Sequence, residues 1–197
     1  FAGDEPLEAE VRPLQDSACA WMSVRLPREG TFRLRVLDAD TGLETVANPI
    51  VCRSDTAEYQ VLWGMIHGHT EMSDGAGTID DYFRQIRDEA ALDFGAPGDH
   101  DHLFETSEAM WQATCGAVRR YNEPGRFVTL LGYEWAKWRQ NGDGDRNVYY
   151  LQDDRPLYRS DNGEFPAPPD LFRALKDETA IVIPHHPGHI GNFCDYK

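Results

Sequence analysis

Residues 1–59 alternate apolar and polar positions over short stretches, which is the pattern of half-buried β-strands. Two of these stretches, residues 20–26 and 31–37, flank a segment at 27–30 that contains Pro27 and Gly30 and has turn chemistry. The pattern therefore predicts a β-hairpin here, within a small all-β module over residues 1–59.

From residue 60 onwards, apolar strands alternate with amphipathic helices. Thr78 and Asp81 have the spacing of a capping box, so a helix is expected to begin after Thr78. This alternation is typical of a parallel α/β sheet or barrel, and we predict one over residues 60–197. The other helices are predicted at residues 105–121 and 168–176, and the strands at 61–66, 92–97, 127–133, 147–151 and 180–184.

The composition excludes several classes of function. Apolar residues make up 41% of the chain, which is enough for a packed core. The 19 Lys and Arg residues against 34 Asp and Glu residues give a net charge of −15, which repels phosphodiester backbones, so we expect no nucleic-acid partner. No apolar run approaches the roughly 20 residues of a membrane span. The four cysteines form no Cys-x-x-Cys pair of the kind a zinc ribbon requires.

All seven histidines occur in three short windows, and each window follows a predicted strand. Active sites of α/β barrels are built from side chains at the carboxyl ends of different strands. Mixed imidazole and carboxylate ligands suit zinc, manganese or iron, and a set of this size indicates two or three ions. The predicted metal ligands are His67, His69, Asp74, His100, Glu134 and His186.

Four segments of the chain, in this order, resemble motifs of the PHP (polymerase and histidinol phosphatase) superfamily. His67-Gly-His-Thr-Glu-Met-Ser-Asp-Gly75 is similar to its first motif, and Gly98-Asp-His-Asp101 to its second. Gly132-Tyr-Glu134 is similar to the third, and His186-Pro187 to the later His-Pro motif. The segment around the first motif, with Asn48-Pro-Ile upstream, resembles a bacterial branch that carries an N-terminal β-module.

The resemblance implies a distorted (β/α)7 barrel that holds two or three divalent ions and hydrolyses phosphate esters. Under the resemblance, His67 and His69 bind one ion, and Glu134 bridges it to a second ion that His186 also binds. A third ion is then bound by the remaining two ligands, Asp74 and His100.

Two further residues near these motifs are candidates for catalysis. Asp99 belongs to the second motif, and His189 follows His186 by three residues. An imidazole at His189 has the chemistry to protonate a leaving group, while clustered divalent ions lower the pKa of a bound water towards 7 and supply a bridging hydroxide.

The segment that follows Glu134 contains cations that suit an anionic substrate. Lys137, Arg139 and Arg146 are expected to pair with a small-molecule phosphate ester, since guanidinium groups match phosphate geometry. Two alternatives remain open: a metal-dependent hydrolase of C–N or C–O bonds, and a metal-binding module without activity.

The chain departs from the superfamily pattern in three ways. Met65 replaces an Asp that would orient a ligand, and Arg146 and Asn147 stand where a ligand His is common. The final Asp-x-His motif does not occur before Lys197. We therefore expect the strands that close the barrel, and at least one metal ligand, to lie in sequence beyond Lys197.

Overall fold

The computed structural model describes residues 6–55, 59–137 and 144–187, and the chain divides into two compact units, Phe1–Val61 and Leu62–Lys197. In the described part of the first unit, the buried side chains are those of Phe32 and Leu34. Its strands form three antiparallel pairs: β1 (Ala9–Pro13) with β2 (Ala20–Val24), β3 (Gly30–Phe32) with β6 (Ile50–Cys52), and β4 (Arg35–Leu37) with β5 (Glu44–Val46).

The predicted hairpin across residues 27–30 is wrong, because β2 pairs with β1 and β3 pairs with β6. The hairpin in this region is formed by β4 and β5 instead. Its turn is held by Asp38, whose carboxylate accepts hydrogen bonds from the Asp40 amide and the Thr41 hydroxyl. The Gly42 amide also donates to the Asp38 carbonyl in this turn.

The second unit begins with three short parallel strands in the order β7-β8-β9. They are β7 (Gly64–Met65), β8 (Phe94–Gly95) and β9 (Val128–Thr129). Helix α1 (Ile79–Arg84), extended by a π-helical turn at Gln85–Glu89, connects β7 to β8, and helix α2 (Glu108–Tyr121) connects β8 to β9.

Both of these helices begin at a capping residue. The capping box of Thr78 and Asp81 is confirmed: the Thr78 hydroxyl accepts from the Asp81 amide, and the Asp81 carboxylate accepts from the Thr78 amide. Helix α2 begins three residues later than predicted, because the Ser107 side chain accepts from the Met110 amide and ends the preceding turn. Glu105 consequently lies outside the helix.

The last three strands are antiparallel, which corrects the expectation of an all-parallel sheet. They are β10 (Leu131–Trp135), β11 (Arg146–Tyr150) and β12 (Ala180–Pro184), and they pair in that order. The connection from β10 to β11, residues 136–145, is shorter than the crossover of a dozen or more residues that a parallel pair needs. Helix α3 (Pro168–Ala174), with a 3₁₀ turn at Leu175–Asp177, lies between β11 and β12.

The two faces of β10 and β11 carry different chemistry because side chains alternate along a strand. Leu131, Tyr133 and Trp135 belong to the apolar core, together with Val148 and residues of α1, α2 and α3. Glu134 pairs with Asn147, and the side chains of both residues project from the opposite face. The described residues thus form a mixed α/β unit without a closed (β/α)7 barrel. Within these residues, no helix combines the length and apolar character needed to cross a membrane.

Candidate metal centre

A single carboxylate oxygen, Oε2 of Glu134, lies among the Nε2 atoms of four histidines. Glu134 is 2% exposed, and a parallel β-bridge pairs it with His100, five residues after the end of β8. The distances from this oxygen to the four Nε2 atoms are 3.6 Å for His67, 3.4 Å for His69, 3.7 Å for His100 and 3.8 Å for His185.

The four rings come from segments that follow strands, and the sequence analysis named His67, His69 and His100 among them but not His185. His67 follows β7, His100 follows β8, Glu134 lies on β10, and His185 follows β12. The segment after β8 is hydrogen-bonded to β10 through the backbone. The Glu134 amide donates to the Asp99 carbonyl, and the Asp101 amide donates to the Glu134 carbonyl. Backbone pairing between distant segments thus sets where Glu134 lies along its strand relative to His100.

Three groups of side chains have the composition and spacing of a metal site. In each group the candidate ligand atoms lie within 4.8 Å of one another. The groups are His67 with Glu134 and His185, His69 with Asp74 and His100, and Glu134 with Asp145 and His186. All six ligands predicted from the sequence belong to these groups, although His67 and His69 fall in different ones.

The first motif holds its two histidines close together. The Nε2 atoms of His67 and His69 are 3.0 Å apart. On its other side, Nδ1 of His69 lies 3.1 Å from Oδ1 of Asp74 and 3.0 Å from the Ser73 hydroxyl. The ring of His69 therefore faces acidic or hydroxyl oxygen at one nitrogen and the centre of the site at the other.

The protonation preferences of the rings differ. Burial lowers the pKa of His67 to about 4, with a further contribution from the charge of His185. Burial also lowers the pKa of His185. For His69, burial acts in the same direction, but hydrogen bonding to Glu134 and the negative charges of Glu134 and Asp74 outweigh it and raise the pKa. A buried carboxylate beside the neutral imidazoles of His67 and His185 has the chemistry of a cation site.

The pKa of Glu134 itself is lowered. Burial opposes ionisation of its carboxyl group, but the hydrogen bond with His69 and the charges of His185, His100 and His67 outweigh burial. Glu134 is therefore an anion at neutral pH, and its charge is available to a bound cation.

His186 and Asp145 approach Glu134 from the ends of β12 and β11. His186 adopts a left-handed backbone conformation with φ of 56°, which is uncommon for a residue other than glycine. Its ring lies against that of His185, with centroids 3.7 Å apart. The His185 amide donates to the Asp145 carbonyl and thereby brings the two segments together. Such backbone strain is concentrated at functional sites.

Asp99, a predicted catalytic residue, has both carboxylate oxygens engaged by the first motif. Oδ1 accepts from the Thr70 amide and the Ser73 hydroxyl, each at 2.7 Å, and Oδ2 accepts from the Thr70 hydroxyl at 2.9 Å. Asp99 is 5% exposed. In this structure it connects the second motif to the loop that carries His69.

The predicted substrate-binding cations differ in position. Lys137 is half-buried just after β10. Arg146 is buried and pairs with Trp135 across β10 and β11, so strand alternation places it on the face opposite Glu134. Arg139 and the predicted catalytic residue His189 lie outside the described residues.

Sequence reasoning missed two members of the centre, His185 and Asp145. The signal for His185 is present in the sequence, because it is the first residue after the strand at 180–184 and so stands where a ligand is expected. The position of Asp145 depends on the reversal of β11, for which the local pattern gives no signal.

The residues present fit divalent ions. Nδ1 of His67 is buried without a hydrogen-bond partner among the described residues, as expected if Met65 removes an orienting acid. A Cβ atom on Gly98 would lie 2.6 Å from the same nitrogen, so glycine provides the space for this ring. Imidazole and carboxylate donors of this kind are those of zinc, manganese and iron sites.

Comparison with known proteins identifies the family to which this chain belongs. A family model described as "Protein of unknown function (DUF3604)" matches residues 84–189, and the chain belongs to this family. An uncharacterised protein of Chlamydia pneumoniae is 26% identical over 157 residues, 79% of this chain and 25% of that protein. One from Chlamydia muridarum is 26% identical over 173 residues, 85% of this chain and 27% of that protein. The chain thus spans about a quarter of the length of these relatives.

Among solved structures, a two-domain protein from Bacteroides vulgatus ATCC 8482 is similar, with a TM-score of 0.46 and 21% identity. The match covers 64% of this chain and 35% of that one. That protein is described as containing a predicted PHP-like metal-dependent phosphoesterase.

Proposed function

We propose that this protein is a metal-dependent hydrolase whose substrates are phosphate esters. The observation that carries the proposal is the arrangement of four imidazole Nε2 atoms within 3.8 Å of one buried carboxylate oxygen of Glu134. Imidazoles gathered around an anion at the ends of separate strands are costly to assemble for packing alone, since buried polar groups need partners.

The proposed ligands form three sets, two of which contain Glu134. His67 and His185 hold one ion with Glu134, His69, Asp74 and His100 hold a second, and Asp145 and His186 complete a third with Glu134. Divalent ions bound in such a cluster supply a nucleophile at neutral pH and neutralise charge on a phosphoryl group.

The chain's own residues perform the remaining tasks. Glu134 holds its negative charge in a buried position, and the neutral imidazoles of His67 and His185 present lone pairs beside it. Asp99 fixes the loop that carries His69, so we assign it a positioning role. Lys137 is the described cation nearest in sequence to Glu134, and we propose that it contacts the substrate anion. Arg139 and His189 keep their proposed roles in substrate binding and leaving-group protonation.

The test is hydrolysis of p-nitrophenyl phosphate and its bis-ester by chain that has been stripped with chelator and reloaded with Zn²⁺, Mn²⁺ or Fe²⁺. Wild type is expected to turn over at least one of them only when reloaded, and the His67→Ala/His69→Ala variant is expected to be inactive. Turnover that survives complete chelation, or a double variant with the wild-type rate, overturns the proposal.

The same assay separates the alternatives when carboxylic esters, amides and lactones are included. A metal-loaded chain that cleaves these and not the phosphates is a hydrolase of C–O or C–N bonds, since the same ions polarise a carbonyl. A chain that binds metal stoichiometrically and cleaves no member of the panel is a metal-binding module.

A further inference from the structure

Glu105 connects two histidines of the second motif through one carboxylate. Its Oε1 lies 3.1 Å from Nδ1 of His100, and its Oε2 lies 2.7 Å from Nδ1 of His102. The carboxylate side chain is 14% exposed. Neither the family description nor the sequence motifs assign a role to this residue.

The backbone around Glu105 explains why it faces these rings. The amides of Glu105 and Thr106 both donate to the His102 carbonyl, which forms a tight turn before α2 begins. Arg159 stabilises this turn, because its Nη1 donates to the carbonyls of Asp101 and Thr106, each at 2.6 Å. The position of Glu105 is therefore fixed by the turn and by a contact from a distant segment.

The two histidines differ in what their Nε2 atoms face. Nε2 of His102 lies 2.7 Å from the Ala136 carbonyl, so both ring nitrogens of His102 face acceptors and the ring braces the loop after β10. In His100 only Nδ1 faces Glu105, and Nε2 lies 3.7 Å from Oε2 of Glu134. A carboxylate can only accept a hydrogen bond, so the proton of a neutral His100 ring is drawn to Nδ1.

We propose that Glu105 is a positioning residue that sets the tautomer and orientation of His100, so that its Nε2 lone pair faces the centre of the candidate site. The inference rests on the proposed function only in taking His100 as a ligand. Carboxylates that hold the second nitrogen of a ligating histidine fix the ring and raise its basicity. Glu105 occupies that place without contacting the centre itself.

The direct test requires no metal. Long-range ¹H–¹⁵N correlation spectra of the metal-free chain, recorded at alkaline pH, report which ring nitrogen of each histidine carries the proton. Wild type and the Glu108→Gln control are expected to show His100 protonated at Nδ1. The control acid, three residues away, has a side chain that is 72% exposed. In Glu105→Ala, His100 is expected to shift towards protonation at Nε2.

The variant Glu105→Met keeps the side-chain volume without the acceptor oxygens, and it decides the outcome if Glu105→Ala fails to fold. A His100 tautomer that is the same in wild type and in the folded Glu105 variant overturns the inference, as does a wild-type ring protonated at Nε2.

A second measurement separates this inference from the proposed function. In calorimetric titration with Zn²⁺, the Glu105 variants are expected to bind at least one ion about 10- to 100-fold more weakly than wild type, with unchanged circular dichroism. Wild type that binds no metal overturns the proposed function, while the tautomer result still stands on its own. Equal affinity in wild type and variant overturns the inference while the metal centre stands.

Discussion

Nε2 of His67 and Nε2 of His69 lie 3.0 Å apart, and both face Oε2 of Glu134. In the neutral rings, one nitrogen can donate to the other, but two lone pairs at this distance repel each other. Under the proposed function, two neighbouring divalent cations, one for each ring, accept these lone pairs and so relieve the repulsion.

Metal ions are accordingly expected to stabilise the fold. A ligand that binds only the native state adds about 2.7 kcal/mol at a concentration 100 times its Kd, so Zn²⁺ or Mn²⁺ at this excess should raise the Tm by several degrees over that in chelator. Differential scanning calorimetry measures the shift. The His67→Ala/His69→Ala variant is expected to lose most of it, and equal shifts in the two proteins would contradict the assignment.

Substitution of Gly98 tests whether Zn²⁺ binding depends on the position of the His67 ring. A Cβ atom at this position would lie 2.6 Å from Nδ1 of His67, so Gly98→Ala displaces the ring and is expected to weaken Zn²⁺ binding about tenfold, or 1.4 kcal/mol. Gly116→Ala is the control, because a Cβ atom there would meet no atom within 4 Å and alanine favours the helix by roughly 0.5–1 kcal/mol. Calorimetric titration compares the two, and undiminished affinity in Gly98→Ala would argue against His67 as a ligand.

Substitution of Asp99 distinguishes a positioning role for this residue from a catalytic one. Asp99→Asn replaces an acceptor of three hydrogen bonds by an amide whose nitrogen cannot accept, and we expect the free energy of unfolding to fall by about 1–3 kcal/mol. Urea unfolding of the metal-free chain measures this loss. A variant with wild-type stability and no turnover would instead support the catalytic role predicted from the sequence.

The clustering of the candidate ligands could be predicted because its signal is local. His67, His100 and His186 each follow a predicted strand by one to three residues, and strand ends meet in α/β folds. The capping box at Thr78 and Asp81 is local in the same sense, and the structure confirms it.

Other features depend on pairing between distant segments, which no local pattern encodes. The pairing of Trp135 with Arg146 decides that Arg146 projects away from Glu134, and a shift of one residue would reverse it. The same reversal of β11 brings Asp145 to the centre. The role of Glu105 depends on where α2 begins. Because Ser107 caps the helix, α2 begins three residues later than the sequence predicted.

The most direct measurement is the metal content of purified chain, determined together with metal-dependent turnover of bis-p-nitrophenyl phosphate, for wild type, Glu134→Gln and Glu123→Gln. Glu123 serves as the control because its side chain is 52% exposed. We expect wild type and Glu123→Gln to bind at least two divalent ions per chain and to turn over the ester, and Glu134→Gln to bind fewer ions and to be inactive. Wild type that retains no metal after reloading, or Glu134→Gln with wild-type metal content and rate, would contradict a metal centre built around Glu134.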